Sequence, residues 1–204
     1  MHWLICKERT EIILFLFIWA NAFEERKEII FLSSNEDNWM IRDIMEIRTA
    51  TIADLAQIAA VEAECFPAAE AATKEEFAER IKYYGNYFWL MFEGEKLIAF
   101  VDGFVTDKPD LTDEMYERAE MHDENGAWQM IFGVNTIPAY RKHGYAGQLL
   151  QCAIEDARKQ GRKGLVLTCK EKLIAYYAKF GFVNEGISES VHGNVIWYQM
   201  RYKF

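Results

Sequence analysis

Cysteine is scarce and scattered in this 204-residue chain. Cys6, Cys65, Cys152 and Cys169 stand far apart and no CxxC pair exists, so neither a zinc knuckle nor a redox dithiol is signalled, and buried thiols in a reducing compartment are the plain reading. The four histidines are equally dispersed and no HExxH occurs, which removes the common metalloenzyme spacing. The chain also lacks GxxxxGK[ST] and GxGxxG, which argues against an ATP-binding P-loop and a dinucleotide site. Only three prolines and no low-complexity tracts appear, so extensive disorder is excluded. A basic surplus is missing too: the net charge is −9, and nucleic-acid binding needs a basic face.

What is present is a core. Hydrophobic residues make up 51% and aromatics 15% of the chain, enough for one domain with some extra at one end. The character of the sequence changes near Met45. Upstream, eight apolar residues run from Ile12 to Trp19 and are followed by Ala20-Asn21-Ala22, the outline of a secretory signal. That run is too short to span a membrane, and Lys7 and Arg9 are cancelled by Glu8 and Glu11. The preferred reading makes residues 1–44 an N-terminal extension, either a mis-called start before Met45 or an accessory segment, and residues 45–204 the functional domain.

Within 45–204 the order is regular. Glu46 to Thr49 read as a short strand. Ile52, Leu55, Ile58 and Ala59 fall at helical spacing behind the N-cap candidate Thr51. Pro67 ends that helix by disfavouring helical geometry at Phe66. Thr73 and Glu76 form a capping box ahead of Phe77, Ile81 and Tyr84. NYFWLMFE and KLIAFVDGFVT read as a hairpin about Glu93-Gly94-Glu95. A long acidic connection over about 106–125 includes a short helix near TDEMYERAE. Then come the strand AWQMIFGVNT, a helix from about Gly144 to Gln160, the strand GLVLTC, the helix EKLIAYYAKF and two further strands. The Gly144 helix has the clearest period, with Ala146, Leu149, Leu150, Ala153, Ile154 and Ala157 on one face. The pattern predicts an α/β fold with strand-helix-strand units on a largely antiparallel frame.

Between AWQMIFGVNT and its helix stands IPAYRKHGYAGQ. A small-residue turn that enters a helix start exposes unsatisfied N–H groups at the positive end of the helix dipole, which suits an anion such as phosphate. The full string VNTIPAYRKHGYAGQLL resembles the acetyl-CoA motif of the GCN5-related N-acetyltransferase (GNAT) family, matched at Arg141, Gly144 and Ala146. GLVLTCKEKLIAYYAKFGF resembles the family's following strand and helix, at Tyr177, Gly181 and Phe182. LTC, the Tyr-Tyr-Ala-Lys-Phe-Gly-Phe run and Phe66-Pro67 make the chain similar to the arylalkylamine N-acetyltransferase-like branch.

The resemblance implies a mixed, mostly antiparallel central sheet flanked by helices, with a splayed strand at the acyl-CoA site. It implies acetyl-CoA as co-substrate, no metal, and acetyl transfer to a primary amine, a small aryl- or alkylamine. Val134, Asn135 and Thr136 would border the acetyl and pantetheine arm. Arg141, Lys142, His143, Gly144, Tyr145, Ala146 and Gly147 would hold the pyrophosphate. Tyr177 would protonate the departing thiolate, and Phe66 and Pro67 would contact substrate. Two histidines of that branch correspond here to Met130 and Phe132, neither of which accepts a proton, so the base falls to ordered water, His122 or Glu64. Eight acidic residues over 106–124 against Lys108 and Arg118 form either an acidic lip that draws in a cationic amine or a solvated face. Phe66, Tyr83, Tyr84, Tyr87, Phe88 and Trp89 are candidates for an apolar pocket, with several needed in the core. A peptide or protein amine as acceptor, or a non-catalytic acyl-CoA-binding module, stays open. So does a monomer or a homodimer. A cytoplasmic protein with neither nucleic-acid nor membrane partner is expected.

Overall fold

The computed structural model describes residues 45–204, so the expectations for residues 1–44 lie outside the described residues. The chain runs β1 (Met45–Thr49), α1 (Leu55–Cys65), α2 (Lys74–Tyr84), β2 (Phe88–Glu93), β3 (Lys96–Asp102), β4 (Val105–Thr106), α3 (Glu114–Glu117), β5 (Trp128–Ile131), β6 (Gly133–Thr136), α4 (Tyr145–Lys159), β7 (Gly164–Cys169), α5 (Ile174–Ala178), β8 (Val183–Ile187) and β9 (Tyr198–Lys203).

Local chemistry accounts for the element ends. The Asp54 carboxylate accepts from both the Thr51 N–H and its hydroxyl at 2.8 and 2.9 Å, starting the first helical turn. Phe66, just before Pro67, is extended at φ −122°, ψ 149° and stops α1. Thr73 and Glu76 cap α2 reciprocally, Glu76 N–H to Thr73 Oγ1 at 3.2 Å and Thr73 N–H to Glu76 at 2.6 Å. The helix read over EKLIAYYAKF is shorter than expected: a 3-10 turn over Glu171–Leu173 precedes α5, and the chain leaves the helix before Gly181 at φ 95°.

Strands β1-β2-β3-β6 form one sheet and β4-β5-β7-β9-β8 a second. Every pairing is antiparallel except β5 with β7. The single strand read as AWQMIFGVNT is divided between the two. Trp128–Ile131 pairs with Gly164–Leu167, and after Phe132 the residues Gly133–Thr136 pair with Ala99–Asp102 instead. β6 thus parts from β7, and the two sheets diverge there. The predicted splayed strand is this divergence.

α4 packs beneath the junction, against β2, β3, β6 and β7, and buries Leu149, Leu150, Ala153, Ile154 and Ala157, the face the periodicity identified. Burying a leucine or isoleucine contributes about 1.5–3 kcal/mol, so this face anchors the site above it. α1 packs on α2, β3 and β6. Its inward face is Ile58, Val61 and Glu62, two apolar residues and a carboxylate.

Candidate active site

Where β6 leaves β7, a cavity of about 790 Å³ opens between Gly133–Thr136 and Thr168–Cys169. The start of α4 lies beyond Arg141, which lines the cavity rim. Gly144 holds the cap position of α4 at φ 86°, where an L side chain is strained, although a Cβ would meet no atom within 4 Å. Lys142 adopts φ 69° as well. No side chain caps α4, so its first-turn N–H groups and the positive end of its dipole are available to an anion. Arg141, Lys142, His143 and Gly144 are exposed, and Tyr145 and Ala146 are half-buried. Arg141 Nε donates to the Thr136 carbonyl at 3.0 Å. His143 stacks on Tyr145 with centroids 5.7 Å apart.

Gly147 is small for a different reason than ligand approach. A Cβ there would fall 2.9 Å from Phe180 Cζ, so the glycine lets the turn after α5 pack on α4.

Val134 and Thr136, read as bordering the acetyl and pantetheine arm, line the cavity. Asn135 does not, because alternate residues of a strand face opposite sides. Its side chain is fully buried and turns toward Glu62, whose charged form it favours. Phe66 and Pro67 line the cavity, and so does Tyr177. Tyr177 is 6% exposed. Burial, reinforced by Cys169, Tyr176 and Tyr116, pushes its phenol well above the usual tyrosine value.

The end away from α4 is built from buried charge. Glu62, Arg80, Asp102 and Tyr116 line the cavity. Arg80 Nη1 lies 3.4 Å from Asp102 Oδ2, and Nη2 donates to the Tyr116 carbonyl at 3.0 Å. The Tyr116 hydroxyl lies 3.3 Å from Thr168 Oγ1. Burial, opposed by Arg80, pushes Asp102 to about 6. Burial and the Asp102 charge push Glu62 to about 7, with the Ala72 N–H and Arg80 opposing.

Two connections roof this end. In the loop between α1 and α2, Glu70 takes Lys170 Nζ on both oxygens at 2.8 Å. From the β8–β9 connection, His192 Nε2 lies 3.1 Å from the Glu70 carbonyl, and the His192 ring stacks on Tyr116 at 5.6 Å and 9°. Ser190 and the Val191 N–H both donate to Asp113.

Neither candidate base reaches the cavity. Glu64 is exposed and does not line it. His122 packs against Tyr84, Tyr87 and Phe104 and accepts the Val105 N–H on Nδ1 at 3.2 Å. Burial lowers its pKa. Met130 is buried away from the cavity, whereas Phe132 lines it and packs tilted against Tyr116 with centroids 4.8 Å apart. Of the candidate pocket aromatics only Phe66 lines the cavity. Tyr84, Tyr87, Phe88 and Trp89 are core, and Tyr83 is 44% exposed elsewhere. The acidic connection is largely engaged in structure. Asp110 pairs with Arg201, Glu114 and Glu120 with Arg118, and Glu124 accepts from Tyr87. Of its acidic residues only Asp113 and Glu117 line the cavity.

Among the described residues no cluster of three or more His, Cys, Asp or Glu is placed to hold a metal, and no helix is long and apolar enough to cross a membrane.

Known proteins add the family. A model described as "Acetyltransferase (GNAT) family" matches residues 55–182, more than half of the chain. No curated protein matches by sequence. Among solved structures, the loading GNATL domain of CurA from Lyngbya majuscula is similar at TM-score 0.68 and 16% identity, covering 78% of this chain and 97% of that one. The GphF GNAT-like decarboxylase in complex with isobutyryl-CoA gives TM-score 0.67 and 21% identity over 78% and 98%. Naa50 from Arabidopsis thaliana, in complex with the bisubstrate analogue CoA-Ac-MVNAL, gives 0.59 and 17% over 78% and 99%. At these identities the likeness is one of fold: a mixed α/β frame with antiparallel sheets and flanking helices. With the divergent β6 and the uncapped start of α4 in place, and the family model spanning both, this chain belongs to the acetyltransferase (GNAT) family, enzymes that take their acyl group from CoA.

Proposed function

We propose that this enzyme transfers the acetyl group of acetyl-CoA to the primary amine of a small molecule, an aryl- or alkylamine, in the cytoplasm where acetyl-CoA is available. The observation that carries a small acceptor is the roof. The Glu70–Lys170 pair, the His192–Glu70 contact and the Ser190–Asp113 bond join four segments across the acceptor end. A peptide needs an open cleft there. Aromatic surface from Phe66, Tyr116, Phe132 and Trp197 lines the enclosed space, which suits the apolar body of such an amine.

The α4 start holds the pyrophosphate through the backbone of Lys142 to Gly147, with Arg141 and Lys142 adding charge. Val134 and Thr136 flank the pantetheine arm. The amine nitrogen bonds to the thioester carbon, the C–S bond breaks, and sulfur takes the Tyr177 proton. A phenol raised by burial is a weak acid beside a thiol of about 8.5. The proton leaving the attacking nitrogen therefore replaces the one given up, and no free phenolate accumulates. The scheme holds for a monomer or a homodimer alike.

The test is free-thiol release from acetyl-CoA with purified protein, offered a panel of aryl- and alkylamines and a panel of short peptides. Turnover with the amines supports the proposal. Release with peptides alone overturns the small acceptor, and saturable CoA binding without release from any amine overturns catalysis.

A further inference from the structure

A carboxylate on the buried face of a helix needs a reason, because an unpaired charge out of water is costly. Glu62 lies one turn beyond Ile58 on the inward face of α1, is 6% exposed and lines the cavity. Its hydrogen bond comes from the Ala72 N–H to Oε1 at 3.1 Å. The groups around it come from separate elements: Asp102 from β3, Arg80 from α2, the Asn135 amide from β6, the Ala72 N–H, and Cys65 on its own helix. Arg80 is bonded to Asp102. Two carboxylates thus share one guanidinium, and the cluster is one positive charge short of neutral. Gly133 makes the space, since a Cβ there would fall 2.5 Å from Asp102 Oδ1 and 2.9 Å from Asn135 Nδ2.

Other carboxylates lining the cavity are engaged. Glu70 holds Lys170, Glu76 holds Thr73, Asp113 holds Ser190 and Val191, and Asp102 holds Arg80. Glu117 is exposed at the rim.

We infer that Glu62 is the general base, taking a proton from the substrate ammonium inside the cavity while the Arg80–Asp102 pair positions it. This rests on the amine-acetylation reading above. The ammonium supplies the missing positive charge and gives one proton to the Glu62 carboxylate, leaving a neutral amine whose lone pair bonds to the thioester carbon. The C–S bond breaks, sulfur takes the Tyr177 proton, and the nitrogen's next proton restores Tyr177. Glu62 then returns its proton to solvent. One amide, one thiol and one proton leave, and nothing is oxidised or reduced. A carboxyl held near 7 by burial and by Asp102 is well matched to this task at neutral pH.

The test is the pH profile of kcat/KM for the full chain with acetyl-CoA and an amine that turns over. Only the Glu62 carboxylate accepts a proton, so the wild type loses activity as pH falls through about 7. Glu62→Gln lowers kcat/KM about a hundredfold or more and removes the limb near 7, while CoA binding stays intact and reports a folded site. Asp102→Asn removes the like charge, so it moves the limb to lower pH, a shift that a merely structural residue does not produce. Glu64→Gln, two residues away on the exposed face, leaves rate and profile unchanged. Wild-type turnover that survives in Glu62→Gln with the same limb overturns the base assignment alone. A wild type inactive on every amine overturns the functional reading and this inference together.

Discussion

The two ends of one cavity are built on opposite principles. The end proposed for CoA is a run of consecutive residues, Arg141 to Gly147, largely exposed, whose chemistry is backbone N–H groups at an uncapped helix start. The acceptor end is assembled from α1, α2, β3, the α3 region and β6, and its chemistry is buried side-chain charge. A phosphate is satisfied by geometry that a short loop supplies alone. A proton acceptor poised near neutral pH needs desolvation, which only tertiary packing supplies. The CoA end should therefore tolerate damage without unfolding, and the acceptor end should not.

Arg80→Ala breaks the comparison hardest. It removes the buried cation from between Glu62 and Asp102 and strips a hydrogen bond from the Tyr116 carbonyl. Losing one partner of a buried pair costs about 3–5 kcal/mol, so chemical denaturation should show a drop of that size. Retained full stability would mean that the acceptor end is not held by charge.

Tyr177→Phe sits where the two ends meet. It keeps the packing against Phe182 and removes only the hydroxyl, so kcat should fall about a hundredfold while CoA affinity is nearly unchanged. Equal kcat for the two proteins would remove Tyr177 from the reaction.

Gly144→Val attacks the CoA end. At φ 86° a β-branched residue carries about 1–3 kcal/mol of strain, and its side chain stands where the phosphate would approach. Titration with CoA should show at least tenfold weaker binding, with stability lowered by less than in Arg80→Ala. The reverse order of stability losses would sink the contrast between a tolerant and an intolerant end.

That contrast also explains what was legible beforehand. The loop 137–148 and the Tyr177–Phe182 run are contiguous strings, so their family likeness and the period of α4 could be read directly. The frame followed from the same periods. The division of AWQMIFGVNT between two sheets could not be read, because continuous apolar character does not record which neighbour a strand pairs with. For Asn135 the motif gives only a place in a string, and the strand's alternation that turns its side chain from the cavity has to be seen in the structure. The buried cavity residue that no motif marks is Glu62. Its position was accessible in principle: Leu55, Ile58 and Glu62 fall at i, i+3 and i+7 on the face of α1 that the spacing had already marked as inward. A carboxylate on that stripe is the signal, whereas Glu64, some 200° further round the helix, is exposed.

The smallest expected effect separates acceptor size from acceptor chemistry. Lys170 is 33% exposed, while its partner Glu70 is 8% exposed at the side chain. Such a half-exposed pair contributes about 1 kcal/mol or less, so Lys170→Met should barely change the denaturation midpoint. It leaves Glu62, Arg80, Asp102 and Tyr177 in place, and it does not touch the start of α4. It does release the tie between the loop after β7 and the α1–α2 loop, while the His192 contact with Glu70 and the Ser190 and Val191 bonds to Asp113 continue to hold the β8–β9 connection down. If the roof sets acceptor size, kcat/KM for a long or peptide amine should rise a few-fold while that for a small amine and the KM for acetyl-CoA stay level. A uniform fall for all amines would mean instead that Lys170 acts on the chemistry, and that the enclosure of the acceptor end is a property of the resting structure without consequence for which amine is chosen.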